Sequence, residues 1–510
     1  MSDYLKKCGL LLGLLCGLPL LHAAITAPRT WAAAETPVAF WAWRAQAPTA
    51  AEIEQVKLQT GATLLFLRAG QLDYEQGRLR RIRAVEGRLP NTIETHLVYN
   101  ATRDLLAGFE KIEPAALAQF VAETFTADFD RATRDGAHVT GAQIDFDAPT
   151  RLLPRYGAAL RMLRERLPQG VRLSITGLPT WMDSPQIVDL LDSVDFWTPQ
   201  LYGAAIPERA DKLIPISSPA AVRQAVIKAR ELDRPFYAGL AAYGYAILYS
   251  SEGALLEARG SLDPALVANH PQLELTKSGP FDAGGPSEWR YVYRARGDAV
   301  IDGLVAHRGD LLMIDAPSAA TLRASARVVR EEAGARLLGV CIFRLPGADD
   351  PAALTAEEIG AAINDRETTI ATELKIERVR QTNGASPRRL AINAANIGTT
   401  GARLGDGALT IELRLPPGSL NYFNGLSGFA GVETLCDSSL SGSPRACSLR
   451  RSNLLRLKAR SWPPGAKARA IIGFDSTVPT KVPAKIDVRA NDGRGWQAEK
   501  EIAVNQEPEQ

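Results

Sequence analysis

Over roughly its first two thirds, the chain alternates between short apolar runs and stretches with helical spacing. Strand side chains point to alternate faces, whereas helical residues three and four apart share a face. The helical patterns include Ala50–Gln59, Pro114–Asp128, Tyr156–Leu167 and Ser218–Leu232. The predicted strands are Val38–Arg44, Thr63–Arg68, Thr95–Asn100, Gly141–Asp147, Arg172–Leu178, Asp195–Tyr202, Phe236–Tyr243 and Leu338–Arg344. Eight strands that alternate with helices predict an α/β fold, a (β/α)8 TIM barrel spanning residues 35–365.

The alternation pauses at about residues 250–310. Turn residues and short β patterns replace it there, as in Trp289–Arg294 and Ala299–Ala306. We therefore predict an insertion after strand seven of the barrel. A doubly wound open sheet is the alternative fold, but no glycine-rich phosphate loop follows the first strand, which weakens that alternative.

From residue 373 to residue 510 the helical spacing disappears. Short strands separated by Gly, Pro and Asn take its place, namely Arg389–Ala394, Ala408–Leu415, Leu454–Ala459, Ala468–Phe474 and Lys485–Ala490. Many short strands with turn residues between them are typical of all-β domains. The sequence therefore predicts a second, sandwich-like domain over residues 373–510.

The first 34 residues have the order of a secretory signal peptide. Lys6 and Lys7 precede the apolar run Leu10–Leu21, and small residues follow it. The run is too short to span a membrane comfortably, so we expect no transmembrane segment in the mature chain. We expect export to the periplasm or the extracellular space. We do not expect lipid anchoring, because Leu15 is a poor residue to precede a lipidated Cys16.

Composition and cysteines fit an exported globular protein. The chain is 46% hydrophobic and 23% charged, enough to bury a large core, and its net charge of +2 argues against a nucleic-acid partner. Cys436 and Cys447 flank a turn-rich loop and are predicted to form a disulfide in an oxidising compartment. Cys341 lies in an apolar strand and is expected to be an inert core thiol.

The fourth predicted strand carries unusual chemistry. Ile144 and the phenylalanine two positions after it face one side of the strand, while Gln143, Asp145 and Asp147 share the other. A structural strand of an α/β protein is apolar on both faces, so three polar side chains on one face indicate a site. Neighbouring carboxylates also push their pKa values apart, which suits acid–base chemistry. The alternative is that Asp147 or Thr150 merely caps the next helix.

Further candidates lie at the ends of other strands. Trp41 and Trp43 share a face of the first strand and could stack on sugars, or could pack in the core. Tyr99 and Asn100 end strand three and could form a hydrogen-bonding pair, or simply a satisfied strand end. The histidines show no ligand spacing, and the aspartate pair lacks further oxygen ligands for a cation. The sequence therefore predicts neither a metal nor a cofactor.

Four stretches in this order resemble the family-18 glycoside hydrolases of the chitinase type. They are GAQIDFD at residues 141–147, PQLYG at 199–203, AGLAAYG at 238–244, and the final helix and strand within residues 313–350. The resemblance covers Gly141–Asp350 and implies a TIM barrel that acts on glycans. The bacterial family of unknown function number 3142 is similar to the QIDFDAPT and PQLYG stretches, and it leaves the reaction open.

The resemblance implies roles for individual residues. Asp147 stands where the family has its proton-donating glutamate, and Asp145 where an aspartate orients the acetamido group of the substrate. Tyr202 matches a tyrosine that hydrogen-bonds the same group, and that group replaces an enzyme nucleophile. Gln200 replaces a methionine, and Phe343 replaces a tryptophan that floors the sugar site. The further predicted substrate-binding residues are Gln143, Trp41, Trp43, Tyr99, Asn100 and Tyr243.

Two departures from the family pattern keep more than one function open. An aspartate at 147 is one methylene shorter than the family's glutamate, and Gly203 removes a second carboxylate. The first hypothesis is an exported glycosidase-like protein that hydrolyses or binds a β-linked hexosamine-containing polysaccharide. The alternatives are a non-catalytic glycan-binding protein and an envelope-scaffold protein on the same barrel.

Overall fold

The computed structural model describes residues 36–203, 205–282, 285–347, 350–379, 388–402, 404–437, 443–475 and 478–506. The predicted signal peptide lies outside these residues. The first strands are β1 Val38–Ala42, β2 Ala62–Glu75, β3 Arg78–Ile82, β4 Glu94–Ala101, β5 His138–Asp145, β6 Arg172–Gly177, β7 Phe196–Pro199 and β8 Phe236–Ala241. The accompanying helices are α1 Ala50–Thr60, α2 Arg103–Gly108, α3 Pro114–Arg134, α4 Leu153–Arg164, α5 Gln186–Leu191 and α6 Pro219–Glu231.

The remaining elements follow in chain order. The next strands are β9 Tyr245–Tyr249, β10 Leu255–Arg259, β11 Leu273–Pro280, β12 Trp289–Ala295, β13 Ala299–Ile301, β14 Leu304–Ala306, β15 Leu311–Ala316 and β16 Leu337–Phe343. The helices here are α7 Pro264–Asn269, α8 Ala319–Glu332 and α9 Ala356–Ile363. The last strands are β17 Thr372–Arg378, β18 Arg389–Asn396, β19 Leu409–Arg414, β20 Leu420–Ser427, β21 Gly431–Cys436, β22 Arg445–Ala446, β23 Leu454–Ala459, β24 Lys467–Phe474, β25 Lys481–Arg489 and β26 Gly495–Gln506.

Eight parallel strands close into a barrel. Their order around it is β1, β2, β4, β5, β6, β7, β8 and β16, and β16 pairs in parallel with β1 to complete the circle. Strand β3 is an antiparallel addition to β2. Each predicted strand overlaps one barrel strand in the predicted order. The predicted TIM barrel is therefore confirmed.

The barrel strands are apolar on both faces because each face has its own core. Outward residues such as Leu65, Leu97 and Ile144 pack against the surrounding helices. Inward residues such as Phe66 and Phe196 fill the barrel interior and contact each other's ring edges. The interior is thus a packed aromatic core, and only its upper end, where the strands terminate, is available for a site.

An antiparallel sheet follows barrel strand β8. Its order is β10, β9, β15, β12 and β11, so it extends from Tyr245 to Ala316. A buried ion pair lies within it, since the guanidinium of Arg290 on β12 donates to both oxygens of Asp315 on β15 at 2.6 Å. Glu288 accepts hydrogen bonds from the backbone of Ile216 and Ser217, which holds this sheet against the loop after β7.

The C-terminal region contains antiparallel sheets, as the sequence predicts. Strands β20, β24, β18, β17 and β26 lie side by side, and β26 continues into β25, β19, β23, β21 and β22. Residues of both halves, such as Ile376 and Ile411, share one core, which is the packing of a sandwich. Cys436 and Cys447 form a disulfide with Cα atoms 5.8 Å apart.

Within the described part of the chain, none of the helices combines the length and the apolar character needed to cross a bilayer.

Candidate active site at the barrel mouth

Strand β5 delivers two carboxyl groups to the upper end of the barrel. Ile144 and Phe146 face outward, and the Phe146 ring stacks on Tyr156 of helix α4. By strand alternation, Asp145 and Asp147 therefore face the barrel interior and its mouth. Asp145 is partly buried at the strand end, whereas Asp147 is exposed two residues further on. The alternation predicted for this stretch thus places both carboxyls at the rim where TIM-barrel sites form.

The two carboxyl groups hold protons more tightly than free aspartates do. Burial, and then the nearby Asp147 charge, raise the pKa of Asp145 to about 7. Burial also raises the pKa of Asp147, because protein surrounds its carboxyl group on most sides even though its tip reaches solvent. The pair therefore retains a proton near neutral pH, which is the state a general acid needs.

The Thr176 hydroxyl fixes the orientation of Asp145. It donates a hydrogen bond of 2.6 Å to Asp145 Oδ1 from the neighbouring strand β6. This bond favours the ionised carboxylate and so opposes the larger effect of burial on the pKa of Asp145.

Gln143 and Trp41 form a floor beneath the carboxyl pair. The indole nitrogen of Trp41 donates to Gln143 Oε1 at 2.7 Å, and the Gln143 amide lies 3.3 Å from the Thr198 hydroxyl. Gln143 is 0% exposed and Trp41 only 2%. Both side chains are thus engaged with each other and with the barrel core, below the carboxyl groups at the mouth.

Aromatic rings line the side of the mouth opposite β5. Tyr202 stacks on Phe343, with ring centroids 5.9 Å apart and planes inclined by 20°. Tyr243 contacts Phe343 edge to face at 5.0 Å, and its hydroxyl lies 2.8 Å from that of Tyr245. Burial raises the pKa of Tyr202, and the charges of Tyr243 and Asp145 add to this effect. The peptide bond between Phe343 and Arg344 is cis.

Trp43 and Arg68 lie at the end of the mouth formed by the first two strands. The Trp43 ring is half-buried and contacts the edge of Phe343 at 6.1 Å. The Arg68 guanidinium lies over the Trp43 ring, 5.6 Å from its centroid. Trp43 is thus the tryptophan of the first strand that remains accessible at the mouth.

Tyr99 and Asn100 point in opposite directions from the end of β4. The Tyr99 hydroxyl donates to Asp128 of helix α3 at 2.9 Å, so its ring lies outside the barrel wall. The structure therefore does not bring Tyr99 to the mouth with the carboxyl pair, because adjacent strand residues occupy opposite faces. Asn100 pairs in register with Asp145 and shares its inward face. It is 8% exposed, and its Oδ1 has no hydrogen-bond partner among the described residues.

Gln200 directly follows β7, and its backbone nitrogen donates to Gly177 of β6 at 2.9 Å. Its side chain is partly accessible. The structure therefore places Asp145, Asp147, Gln200 and Tyr202 at the same end of the barrel, where strands four and six terminate.

The described residues contain no group of three or more His, Cys, Asp or Glu side chains that could bind a metal ion.

Three residues that contact the carboxyl pair or the aromatic rings of the mouth are not evident from the sequence patterns. Thr176 is an ordinary strand residue until its register beside Asp145 is known. Tyr245 opens the sheet that follows the barrel strand, and only the chain reversal there brings it onto Tyr243. Arg68 ends the run TLLFLR, and its inward direction follows from its alternation with Phe66.

These features define a TIM barrel with a carboxyl-bearing mouth, and comparison with known proteins names a related family. Residues 115–348 match the model of a family described as a domain of unknown function, DUF3142. The expected resemblance to that family is therefore confirmed. The matched stretch contains the carboxyl pair, Tyr202 and Phe343. No curated protein matches the chain.

Several solved structures are similar in fold. The spore cortex-lytic enzyme SleL of Bacillus cereus is 15% identical, with a TM-score of 0.42 over 65% of this chain and 74% of its own. A chitinase of Chromobacterium violaceum is 15% identical, with a TM-score of 0.41 over 64% of this chain and 99% of its own. A class V chitinase of Pseudomonas fluorescens is 14% identical, with a TM-score of 0.40 over 65% of this chain and 100% of its own.

Proposed function

We propose that this chain is an exported glycosidase-like protein that acts on a β-linked hexosamine-containing polysaccharide. The observation that supports the proposal best is the pair of carboxyl groups with raised pKa values, Asp145 and Asp147, at a barrel mouth that the stacked rings of Tyr202 and Phe343 also line. Sugar rings stack on aromatic faces, and cleavage of a glycosidic bond needs a proton donor. The disulfide between Cys436 and Cys447 supports export, because such bonds persist in oxidising compartments.

In this proposal, Asp147 is the general acid: the one proton that the carboxyl pair shares resides on Asp147 when the glycan is bound, and Asp145 is then ionised. Its carboxyl group donates a proton to the glycosidic oxygen as the bond to the anomeric carbon breaks. The acetamido oxygen of the sugar attacks that carbon and forms a cyclic intermediate, so no enzyme nucleophile is needed. A water molecule then opens the ring, and the Asp147 carboxylate accepts the proton that this water loses.

Asp145 and Tyr202 serve as positioning groups for the acetamido group. Asp145, held by Thr176, accepts a hydrogen bond from the acetamido nitrogen and stabilises the positive charge that develops on the cyclic intermediate. The Tyr202 hydroxyl donates to the acetamido oxygen. Phe343, on which Tyr202 stacks, forms part of the surface beneath the sugar ring.

A non-catalytic glycan-binding protein is the second candidate. The observation that favours it is the short side chain at position 147. An aspartate has about 1.5 Å less reach than a glutamate, and a misplacement of about 1 Å can lower a rate about a hundredfold. The same mouth can still hold a sugar through stacking and hydrogen bonds. An envelope-scaffold role is the outcome if no glycan binds.

The test compares the wild type with Asp147→Asn on β-1,4-linked N-acetylhexosamine oligomers. We expect product release to fall by about 10²- to 10⁴-fold, because the amide has no transferable proton. Glycan affinity should change little, since the side-chain shape is kept. An exposed helix residue, Asp189, provides the control variant Asp189→Asn.

Two other results of this experiment would decide the role of Asp147 and the choice between the two candidate functions. Hydrolysis that persists undiminished in Asp147→Asn removes this residue from the mechanism. Binding by the wild type without any turnover supports the second candidate, and in that case Asp147→Glu tests whether longer reach brings hydrolysis.

A further inference from the structure

Arg68 is a cationic side chain directed into the barrel mouth. Leu64 and Phe66 on the same strand fill the barrel interior, so alternation directs Arg68 inward above them. In TIM barrels, alternate strands supply the residues of one interior layer. Strands two, four, six and eight supply Arg68, Asp145, Gln200 and Phe343. Arg68 thus belongs to the layer of the candidate site.

The Arg68 guanidinium has no counter-charge among the described residues. No carboxylate forms an ion pair with it, and its buried Nε has no hydrogen-bond partner. The neighbouring charge is that of Arg83, which has the same sign, and burial together with Arg83 lowers the pKa of Arg68. Removing a cation from water without a partner costs free energy. Elsewhere in the chain, the guanidiniums of Arg290 and Arg344 each contact both oxygens of an aspartate.

Asn100 provides a second unsatisfied group on the adjacent strand β4. Its side chain is 8% exposed, and its Oδ1 lacks a partner among the described residues. Its Nδ2 donates to the Ala101 carbonyl at 3.5 Å, so only the oxygen is unsatisfied. Buried polar groups are ordinarily hydrogen-bonded in folded proteins, so an unpaired amide oxygen at a site entrance indicates a ligand contact. Arg68 and Asn100 face the interior from adjoining strands, between Trp43 on β1 and Asp145 on β5.

We propose that Arg68 binds a carboxylate on the glycan, so that the chain prefers acidic sugars over neutral ones. This inference rests on the proposed function and specifies its substrate class. A guanidinium matches the two oxygens of a carboxylate in a planar two-point contact. A dianionic phosphate fits less well, because a single arginine faces it and the Asp145–Asp147 pair lies only two strands away on the same rim. Asn100 then contacts a hydroxyl group of the same sugar.

The experiment measures binding of β-linked hexosamine oligomers that differ at one substituent. One oligomer carries a carboxylate on a sugar next to the hexosamine, a second carries the corresponding neutral amide, and a third carries a phosphate ester. For the wild type we expect the carboxylate oligomer to bind about 10- to 100-fold more tightly than the amide, the usual worth of a hydrogen bond to a charged group. The preference should weaken as salt concentration rises.

Arg68→Met keeps the apolar stem beside Trp43 and removes the charge. We expect this variant to bind the carboxylate and the amide oligomers equally, while Arg68→Lys retains part of the preference. Arg78→Met is the matched control, because Arg78 is exposed on the hairpin strand β3 and its removal should leave the preference unchanged. Thermal unfolding of Arg68→Met should occur close to the wild-type temperature, because removal of a partly desolvated cation offsets the loss of its contact with the Trp43 ring.

The outcomes separate this inference from the function on which it rests. If the wild type binds the neutral and acidic oligomers equally, or if the preference survives in Arg68→Met, the assignment of Arg68 is overturned and the glycan function stands. A preference for the phosphate ester over the carboxylate also overturns it. If the wild type binds no oligomer in the panel, the proposed function itself fails. A lower unfolding temperature for Arg68→Met would assign Arg68 a structural role instead.

Discussion

At the barrel mouth, burial changes the pKa of a carboxyl group more than its hydrogen-bond partner does. The pKa of Asp145 rises to about 7 chiefly because the carboxyl group is desolvated, and the hydrogen bond from Thr176 offsets only part of that effect. Asp147 adds like-charge repulsion, so the two groups titrate as a pair. The site therefore carries a proton at pH values where isolated aspartates have lost theirs.

This proton makes the stability of the fold depend on pH. In the unfolded chain Asp145 titrates near its ordinary value, whereas in the folded chain it keeps its proton up to about pH 7. Between those values the folded state binds more protons, so stability falls as the pH rises. We expect wild type to lose stability relative to Asp145→Asn from pH 4 to pH 7, by at most about 1.4 kcal/mol per pH unit.

Urea unfolding of both proteins across this pH range measures the difference. Asp189→Asn controls for an amide substitution at an exposed position. A stability difference between wild type and Asp145→Asn that stays constant from pH 4 to pH 7 would contradict the assigned protonation of the pair.

A glycine on strand β5 leaves room for a large side chain of the neighbouring strand β4. A Cβ atom on Gly141 would lie 2.3 Å from the His96 ring, so glycine lets the imidazole enter the barrel interior. The ring is 0% exposed and packs edge to face on Phe66 at 5.3 Å. Burial, with a contribution from Arg172, lowers the pKa of His96 to about 3, so the imidazole is neutral.

Gly141→Ala should therefore lower the free energy of unfolding by about 1–3 kcal/mol, the usual cost of overpacking a core. In the His96→Ala background the same change should cost much less, because the ring that it strikes is gone. Gly279→Ala is the control, since no atom lies within 4 Å of the added Cβ. Chemical denaturation of the three variants and the double variant tests this, and strictly additive losses would contradict the contact.

In the molecule as a whole, helix α9 connects the barrel to the C-terminal β-sheets. Glu358 completes a capping box with Thr355, and its other oxygen accepts a hydrogen bond of 3.0 Å from the Gly401 nitrogen. Both residues line a cavity of about 340 Å³ where the barrel, the sheet after β8 and the C-terminal region meet. The buried carboxyl group of Glu358 thus caps the start of helix α9 and also forms a hydrogen bond to the C-terminal region.

Replacing Glu358 tests this double role against an equivalent cap. Helix α1 has the same capping box, in which Glu52 pairs with Thr49 near the surface. We expect Glu52→Ala to cost about 1 kcal/mol and Glu358→Ala about 1–3 kcal/mol more, because the half-buried Gly401 backbone donor also loses its acceptor.

Denaturation measures these losses, and hydrogen exchange at Gly401 reports the local contact. Exchange at Gly401 should accelerate in Glu358→Ala and remain slow in Glu52→Ala. Equal losses of stability in the two variants would show that the contact with Gly401 contributes nothing.

Much of the architecture could be predicted because it depends on local periodicity. The eight barrel strands and their order follow from apolar runs that alternate with helical spacing. This periodicity is a local property of the sequence, so it can be recognised without knowledge of the tertiary contacts. The inward direction of Asp145 and Asp147 follows from the same two-residue period. The disulfide followed from two cysteines that flank one short loop.

The sequence by itself therefore determined the barrel, the strand that carries the carboxyl pair, and the cysteine pairing. Tertiary structure alone decided which candidates reach the mouth, because a side chain's depth depends on the register of neighbouring strands. Register buries Trp41 and Gln143 beneath the site, and it places Thr176 against Asp145. It also leaves Arg68 without a counter-charge. The sequence cannot show this, because the residues that surround Arg68 in space are distant from it in the chain.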